Sequence, residues 1–251
     1  DLVRSRGLGD VYKRQVSIVY IRKKFPEIQF TFLPRRFSGT MMKDILAIGL
    51  PVGLNNSLYS LGHVALQTFN NSQGAIFMAG GAVAGRITGC SNIAITGLSS
   101  AATTFSGQNY GAKDEGRCKK IFRLGMLCSV ISCGILSTIF VVFRTFFIGL
   151  FTSDPSVYHY AQLRFLIVLT FECLTSSYEI SGGCLRGFGR SMTPAILTVF
   201  GSCVLRLIWL ATVCNWFHDY KLLMAIYPIS WVLTGTMVLV AYFRTRKKLF
   251  L

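Results

Sequence analysis

Glu172 and Glu179 lie in the middle of one long apolar run, seven residues apart and so on one helical face, two turns from each other. An ionisable side chain at the centre of a bilayer costs about 2.5–3.5 kcal/mol on insertion scales, so each acid there is a functional candidate. A carboxylate in a dry or half-wet cavity holds its proton toward neutral pH, as a group that loads and releases protons near physiological pH must. Glu179 and Glu172, in that order, are the ion-coupling candidates. The plainer alternative is that one of them pairs with a mid-span arginine (Arg86, Arg164 or Arg206) or caps a broken helical turn.

Polar side chains at helical spacing form a second group. Asn56, Ser60, His63 and Gln67 fall at i, i+4, i+7 and i+11 of an otherwise apolar run, and Asn92, Thr96, Ser99 and Thr103 form a similar stripe in the next run. Such a stripe must face a partner helix or water. Asn56, Ser60, His63, Gln67, Asn92 and Thr96 are candidates to line a cavity, and interhelical hydrogen bonding is the alternative for both stripes. Pro51, between Gly49 and Gly53, predicts a kink or hinge that frees a carbonyl at membrane depth. Arg206 is expected to be structural, binding exposed carbonyls.

The elements that must carry these residues are transmembrane helices. The chain of 251 residues is 52% hydrophobic and 14% charged, against roughly 25% charged for soluble domains, and its mean hydropathy is +0.50. Its apolar residues gather into runs near 45–69, 75–105, 124–151, 158–185, 195–216 and 222–243, each long enough to cross a hydrocarbon slab of roughly 30 Å. The fold class expected is all-α: a polytopic six-helix transmembrane bundle.

The net charge of +16 has a topological pattern. Seventeen of the 22 Lys and Arg beyond residue 15 lie in Arg22–Lys43, Lys113–Arg123, Arg186–Arg190 and Arg244–Lys248, every second connection, while the three opposite turns hold only Lys221. Basic loops on alternate sides place those segments and the C-terminus in the cytoplasm. No zinc finger, P-loop or aromatic-interleaved basic face accompanies the charge, which excludes a nucleic-acid partner. The eight cysteines have no C-x-x-C spacing and read as small core residues, and three isolated histidines make no metal site. No nucleophile elbow, H-E-x-x-H or dinucleotide fingerprint is present, so no enzyme and no cofactor is expected.

The domain reading is as follows. Ser5 to Gln15, SRGLGDVYKRQ, is the translation of a transposase sequencing adaptor, so residues 1–15 are expected to be an artefact on an upstream-truncated frame. Residues 16–44 hold the end of a helix and a basic cytoplasmic linker, 45–243 a six-helix lobe, and 244–251 a basic cytoplasmic tail.

Several ordered motifs resemble the multidrug and toxic compound extrusion (MATE) family. They are Gly49-Leu50-Pro51-Val52-Gly53-Leu54, Ser106-Gly107-Gln108-Asn109-Tyr110-Gly111-Ala112, Leu185-Arg186-Gly187-Phe188-Gly189-Arg190-Ser191 and Tyr227-Pro228-Ile229-Ser230-Trp231. The resemblance implies one lobe of a twelve-helix, two-lobe, bacterial inner-membrane antiporter that exports small organic cations and drugs in exchange for H+ or Na+. The first lobe would be absent and this piece inactive alone. Some members use acids on the first and fourth helices of this lobe; here Asn55 and Asn56 stand in the first-helix position, and Glu179 fits the fourth only approximately. The alternatives are a lipid-linked oligosaccharide flippase of the same superfamily, to which Arg86, Arg164 and Arg206 would suit a more cationic cavity, or a non-transporting structural membrane subunit.

Overall fold

A computed structural model describes residues 15–24, 38–72, 74–216 and 220–250. The chain divides into two compact units, Asp1–Ile45 and Leu46–Leu251. In the first, residues 15–24 form helix α1. Helix α2, Gly39–Ser72, begins at its end. In the second, α3 is Ala75–Gly111, α4 Glu115–Val142 and α5 Arg144–Gly149. Next come α6 (Pro155–Phe171), a 3-10 turn (Glu172–Leu174), α7 (Thr175–Gly187), α8 (Met192–Thr198), a π-helical segment (Val199–Val204), α9 (Leu205–Trp216) and α10 (Tyr220–Phe250). The described residues are helical, without a strand, and the architecture is the polytopic all-α bundle that the apolar runs predict.

Among the described residues, three passages are long and apolar enough to cross a membrane on composition alone: Glu115–Val142, Met192–Val213 and Met224–Phe250. At 37 residues α3 has length to spare, but its inner half is rich in Gly, Ser and Thr. The fourth passage is cut at Glu172 into α6 and α7, and the fifth loosens into π geometry for one turn.

Helix α4 has the inverse of a soluble helix's pattern. Its exposed face carries Leu124, Leu127, Ile131, Ile135 and Ile139, while Cys118, Phe122, Ser129, Cys133 and Ser137 are buried. In lipid there is no apolar driving force between helices, so small and weakly polar residues go to the contacts, where backbones can approach, and the bulky aliphatics face the acyl chains. Ser129 Oγ accordingly bonds Ser176 Oγ across α4 and α7 at 2.8 Å.

Two helix boundaries differ from the sequence reading. The basic stretch Lys113–Arg123 is not a loop beyond Asp114: α4 starts at Glu115 because Asp114 Oδ1 accepts the Arg117 N–H at 2.9 Å, an N-cap backed by the Lys119–Glu115 ion pair one turn apart. The basic residues Arg244–Lys248 are the last turns of α10, which runs to Phe250, where cations favour the helix dipole. Asp154 caps α6 in the same way, accepting from Ser156 N at 2.8 Å with Pro155 opening the helix.

The core of this unit is built around α3, which packs on α4, α6 and α7, with α10 closing against α7. Phe122 stacks on Tyr242 with ring centroids 4.2 Å apart, tying α4 to α10. Phe122→Ala is expected to cost about 3 kcal/mol. The measurement is the thermal midpoint of the detergent-solubilised protein; an unchanged midpoint would mean that this aromatic contact does not hold α4 to α10.

Candidate functional site

A cavity of about 650 Å³ opens inside the second unit. One wall is α3, through Thr88, Asn92, Thr96, Ser99 and Ser100, and another is Arg164 and Val168 of α6. Glu172 of the 3-10 turn and Thr175, Tyr178, Glu179 and Arg186 of α7 form a third. Arg206 of α9 and Tyr227 and Trp231 of α10 face them.

Glu172 is 2% exposed. Asn92 Nδ2 donates to its Oε1 at 3.2 Å, and the buried Ser91 hydroxyl stands beside the same carboxyl, although among the described residues neither Ser91 Oγ nor Glu172 Oε2 completes a hydrogen bond of normal geometry. The backbone gives way at this residue: α6 ends at Phe171 and the next three residues form a 3-10 turn, whose first carbonyl, that of Glu172, accepts from Thr175 Oγ1 at 2.7 Å. A 3-10 stretch in mid-span re-aims the side chains that follow, and here it holds the carboxyl against α3. Buried carboxylate oxygens without a donor are costly, so this atom is best satisfied by carrying a proton or meeting a cation.

Glu179 lies two turns on, in the same cavity. Its backbone carbonyl accepts from Ser99 Oγ at 2.8 Å, and Ser99 Oγ in turn accepts from Arg186 Nη2 at 2.9 Å. Among the described residues, no Lys, Arg or His nitrogen lies within 4.0 Å of either acid; the ion pairs found are Arg117–Asp114, Lys119–Glu115 and Arg246–Glu115. The pairing of a mid-span Glu with Arg86, Arg164 or Arg206 is therefore absent there.

The structure brings together Glu172, Glu179, Asn92 and Thr96. It does not bring Ser60 or Gln67 to this cavity; both are exposed on α2. The side chains of Asn56, His63 and Pro51 lie outside the described residues. Arg206 is 3% exposed and donates from Nε to Ser230 Oγ at 3.0 Å, a side chain rather than a backbone carbonyl.

Sequence reasoning missed three things here. Arg186 was assigned to a basic connection, yet it lines the cavity; its spacing of seven from Glu179, which is itself seven from Glu172, could have placed it on the same face. Tyr227 and Trp231, an i, i+4 pair with ring centroids 6.0 Å apart, form an aromatic wall. Arg164 lies over the Tyr227 ring, its guanidinium carbon 5.7 Å from the centroid.

Comparison with known proteins gives a consistent picture. The family model described as MatE matches residues 51–212. The chain is 26% identical over 188 residues to the probable multidrug resistance protein YoeA of Bacillus subtilis, covering 74% of this chain and 41% of that protein. It is 25% identical over 211 residues to the probable multidrug resistance protein NorM of Thermotoga maritima, covering 82% and 45% respectively. The chain thus spans less than half the length of these relatives. Among solved structures, it matches the outward-facing conformation of a multidrug resistance MATE family transporter of the MOP superfamily with a TM-score of 0.82 at 18% identity, covering 93% of this chain and 54% of that one. A MOP superfamily transporter from Pyrococcus furiosus, described with the words "reverse polarity of binding pocket suggests different function", matches with a TM-score of 0.80 at 18% identity over 93% and 54%. At these identities the structural likeness is one of fold.

Proposed function

This chain belongs to the MatE family of membrane transporters, and from that membership we propose that it forms one six-helix lobe of a secondary-active antiporter that exports drug-like organic compounds in exchange for protons. The observation that carries the reading is Glu172, a carboxyl buried to 2% exposure in the cavity, with one oxygen held by Asn92 and, among the described residues, no cationic side chain within 4.0 Å. A carboxyl that holds a proton or a cationic group, but not both, is the minimal antiport device, because each occupant lowers the affinity for the other. Glu179 is the second acid on the same wall. The exported compounds are small organic cations, as the resemblance implies, with the amine at the acids and the aromatic body against Tyr227 and Trp231.

Protons are favoured over sodium as the coupling ion. A proton needs only one carboxylate oxygen of Glu172, whereas a hard metal cation is held by several oxygen ligands at once. The membrane is proposed to be a bacterial inner membrane with the C-terminus inside. The basic turns of α4 and α10 support this orientation, since they meet at one end, with Arg246 Nε 3.9 Å from Glu115 Oε1.

The test is transport in proteoliposomes of the complete transporter that contains this lobe, loaded with an acidic lumen. A cationic dye should accumulate inside while the lumen turns alkaline, and an inward or outward sodium gradient at equal pH should not drive it. Dye accumulation that follows sodium and ignores pH would overturn proton coupling. The second reading, a flippase for lipid-linked oligosaccharide, is favoured by the three arginines on the cavity wall; it would show as movement of a lipid-linked sugar and no dye transport under either gradient.

A further inference from the structure

Three arginines, Arg164, Arg186 and Arg206, share the cavity with the two glutamates. Arg186 is engaged with Ser99. The other two converge on one ring: the guanidinium carbon of Arg206 lies 4.6 Å from the Tyr227 centroid and that of Arg164 5.7 Å from it. Two cations on one ring, one of them 3% exposed, repel each other in a low dielectric. Among the described residues no carboxylate lies within 4.0 Å of either. A buried charge left without a counter-charge is strongly unfavourable, so such a pair marks a place where the counter-charge is brought by something else.

The surroundings hold the pair in position. Ser230 Oγ accepts from Arg206 Nε at 3.0 Å and donates to the Tyr227 carbonyl at 2.8 Å, which fixes the plane of the guanidinium. Its terminal nitrogens form the fork that a carboxylate, sulfonate or phosphate accepts from bidentately. On the other side, a Cβ added at Gly81 would sit 3.0 Å from Arg164 Nη1, so α3 leaves room for this side chain only because residue 81 has none.

Glu172 lies away from Arg164. Eight residues of helix separate Arg164 from Glu172, or about 12 Å along the axis. The cavity is therefore dipolar, anionic around Glu172 and cationic around Tyr227, with Tyr227 and Trp231 stacked edge to face alongside.

We infer that Arg164, Arg206 and Tyr227 form an anion subsite, and that the preferred substrates are zwitterionic aromatic amphiphiles whose amine faces Glu172 and whose acidic group sits between the two guanidiniums. This rests on the antiporter reading for the amine end and adds the class of group at the other. It also reconciles an arginine-lined wall with an exporter of cations: the amine still exchanges against the proton, while the acid supplies the counter-charge that the arginines lack.

The probes are rhodamine B, a zwitterion with a free carboxylate, and its ethyl ester, which is cationic only. Binding to the purified transporter in detergent is read by fluorescence polarisation. The free acid should bind about tenfold or more tightly than the ester, the range of one charge-assisted pair. Arg164→Gln and, separately, Arg206→Gln should bring the ratio of acid to ester affinity toward one, with the free acid losing affinity relative to the ester; if the buried Arg206 variant does not fold, the half-buried Arg164 decides. Equal binding of acid and ester by the native protein, or a ratio that survives in Arg164→Gln, overturns the subsite but leaves the antiporter reading intact. Failure of both dyes to bind would remove that reading and the subsite with it. Phosphatidylglycerol is added as a third arm: if it displaces the acid selectively, the subsite belongs to a lipid phosphate and the zwitterion assignment falls.

Discussion

Glu172→Gln leaves a transporter that binds its substrate but no longer moves it against a proton gradient. The amide matches the carboxyl in size and keeps an oxygen to accept from Asn92 Nδ2, now 3.2 Å from Oε1, so the cavity wall and the 3-10 turn persist. What is lost is the proton that the carboxyl could release and the charge that could meet an amine. Pairwise coupling energies between sites correspond to roughly 5–150-fold, and removal of a group that both ligands share should take the upper end: gradient-driven accumulation falls by about a hundredfold. Equilibrium exchange of labelled substrate at equal pH should survive, and this separates loss of coupling from loss of fold. The companion variant Glu179→Gln should cost less, because Glu179 shares its surroundings with Ser99 and Arg186, a cation that already balances its charge. If Glu172→Gln pumps normally while Glu179→Gln does not, the coupling role passes to Glu179; if both pump normally, this lobe holds no coupling carboxyl.

The second large effect falls on the α3–α7 contact. A Cβ built on Gly183 would lie 2.6 Å from the Ser99 carbonyl oxygen, and one on Gly187 would lie 2.6 Å from that of Thr103. Both obstacles are backbone, so neither can rotate aside; the helices must part. Overpacking of a close contact costs about 1–3 kcal/mol, and at two points on one interface the costs combine. Gly183→Ala and Gly187→Ala should each lower the thermal midpoint in detergent, and the double variant should fail to elute as a monodisperse peak. Gly97→Ala is the control, on the facing helix α3: open space surrounds that position, and Ala is the better helix former. The site should register the change as well, because Ser99 links Arg186 to Glu179 across this contact. Unchanged midpoints for both single variants would mean that α3 and α7 are not pressed together as described.

Much of this molecule can be read from residue order alone. The lengths of the apolar runs, the side on which Lys and Arg recur and the isolation of Glu172 and Glu179 in mid-span come from the energetics of hydrocarbon, which act on each segment separately. A residue's cost in the bilayer does not depend on its neighbours' identity, so membrane passages, the all-α class and the two acids were determined locally. The boundary at Glu115 was less legible, because a cap formed by Asp114 competes there with a run of cations that resembles a loop.

Tertiary structure decided which polar groups meet. Asn92 reaches Glu172 across eighty residues, and Arg206 reaches Tyr227 from a different helix. Periodicity says that a side chain lies on a face; it cannot say what that face meets, since this depends on helix crossing, on the glycines that let α7 approach α3 and on the breaks that re-aim side chains. The 3-10 turn at Glu172 and the π segment Val199–Val204 are such breaks. Neither has Pro at its start. The sequence by itself thus determined that this chain lives in a membrane and which two acids it buries there, because solvation is a property of each residue. Only the folded bundle decided that three arginines share one cavity with those acids, because pairing is a property of positions brought together from distant parts of the chain.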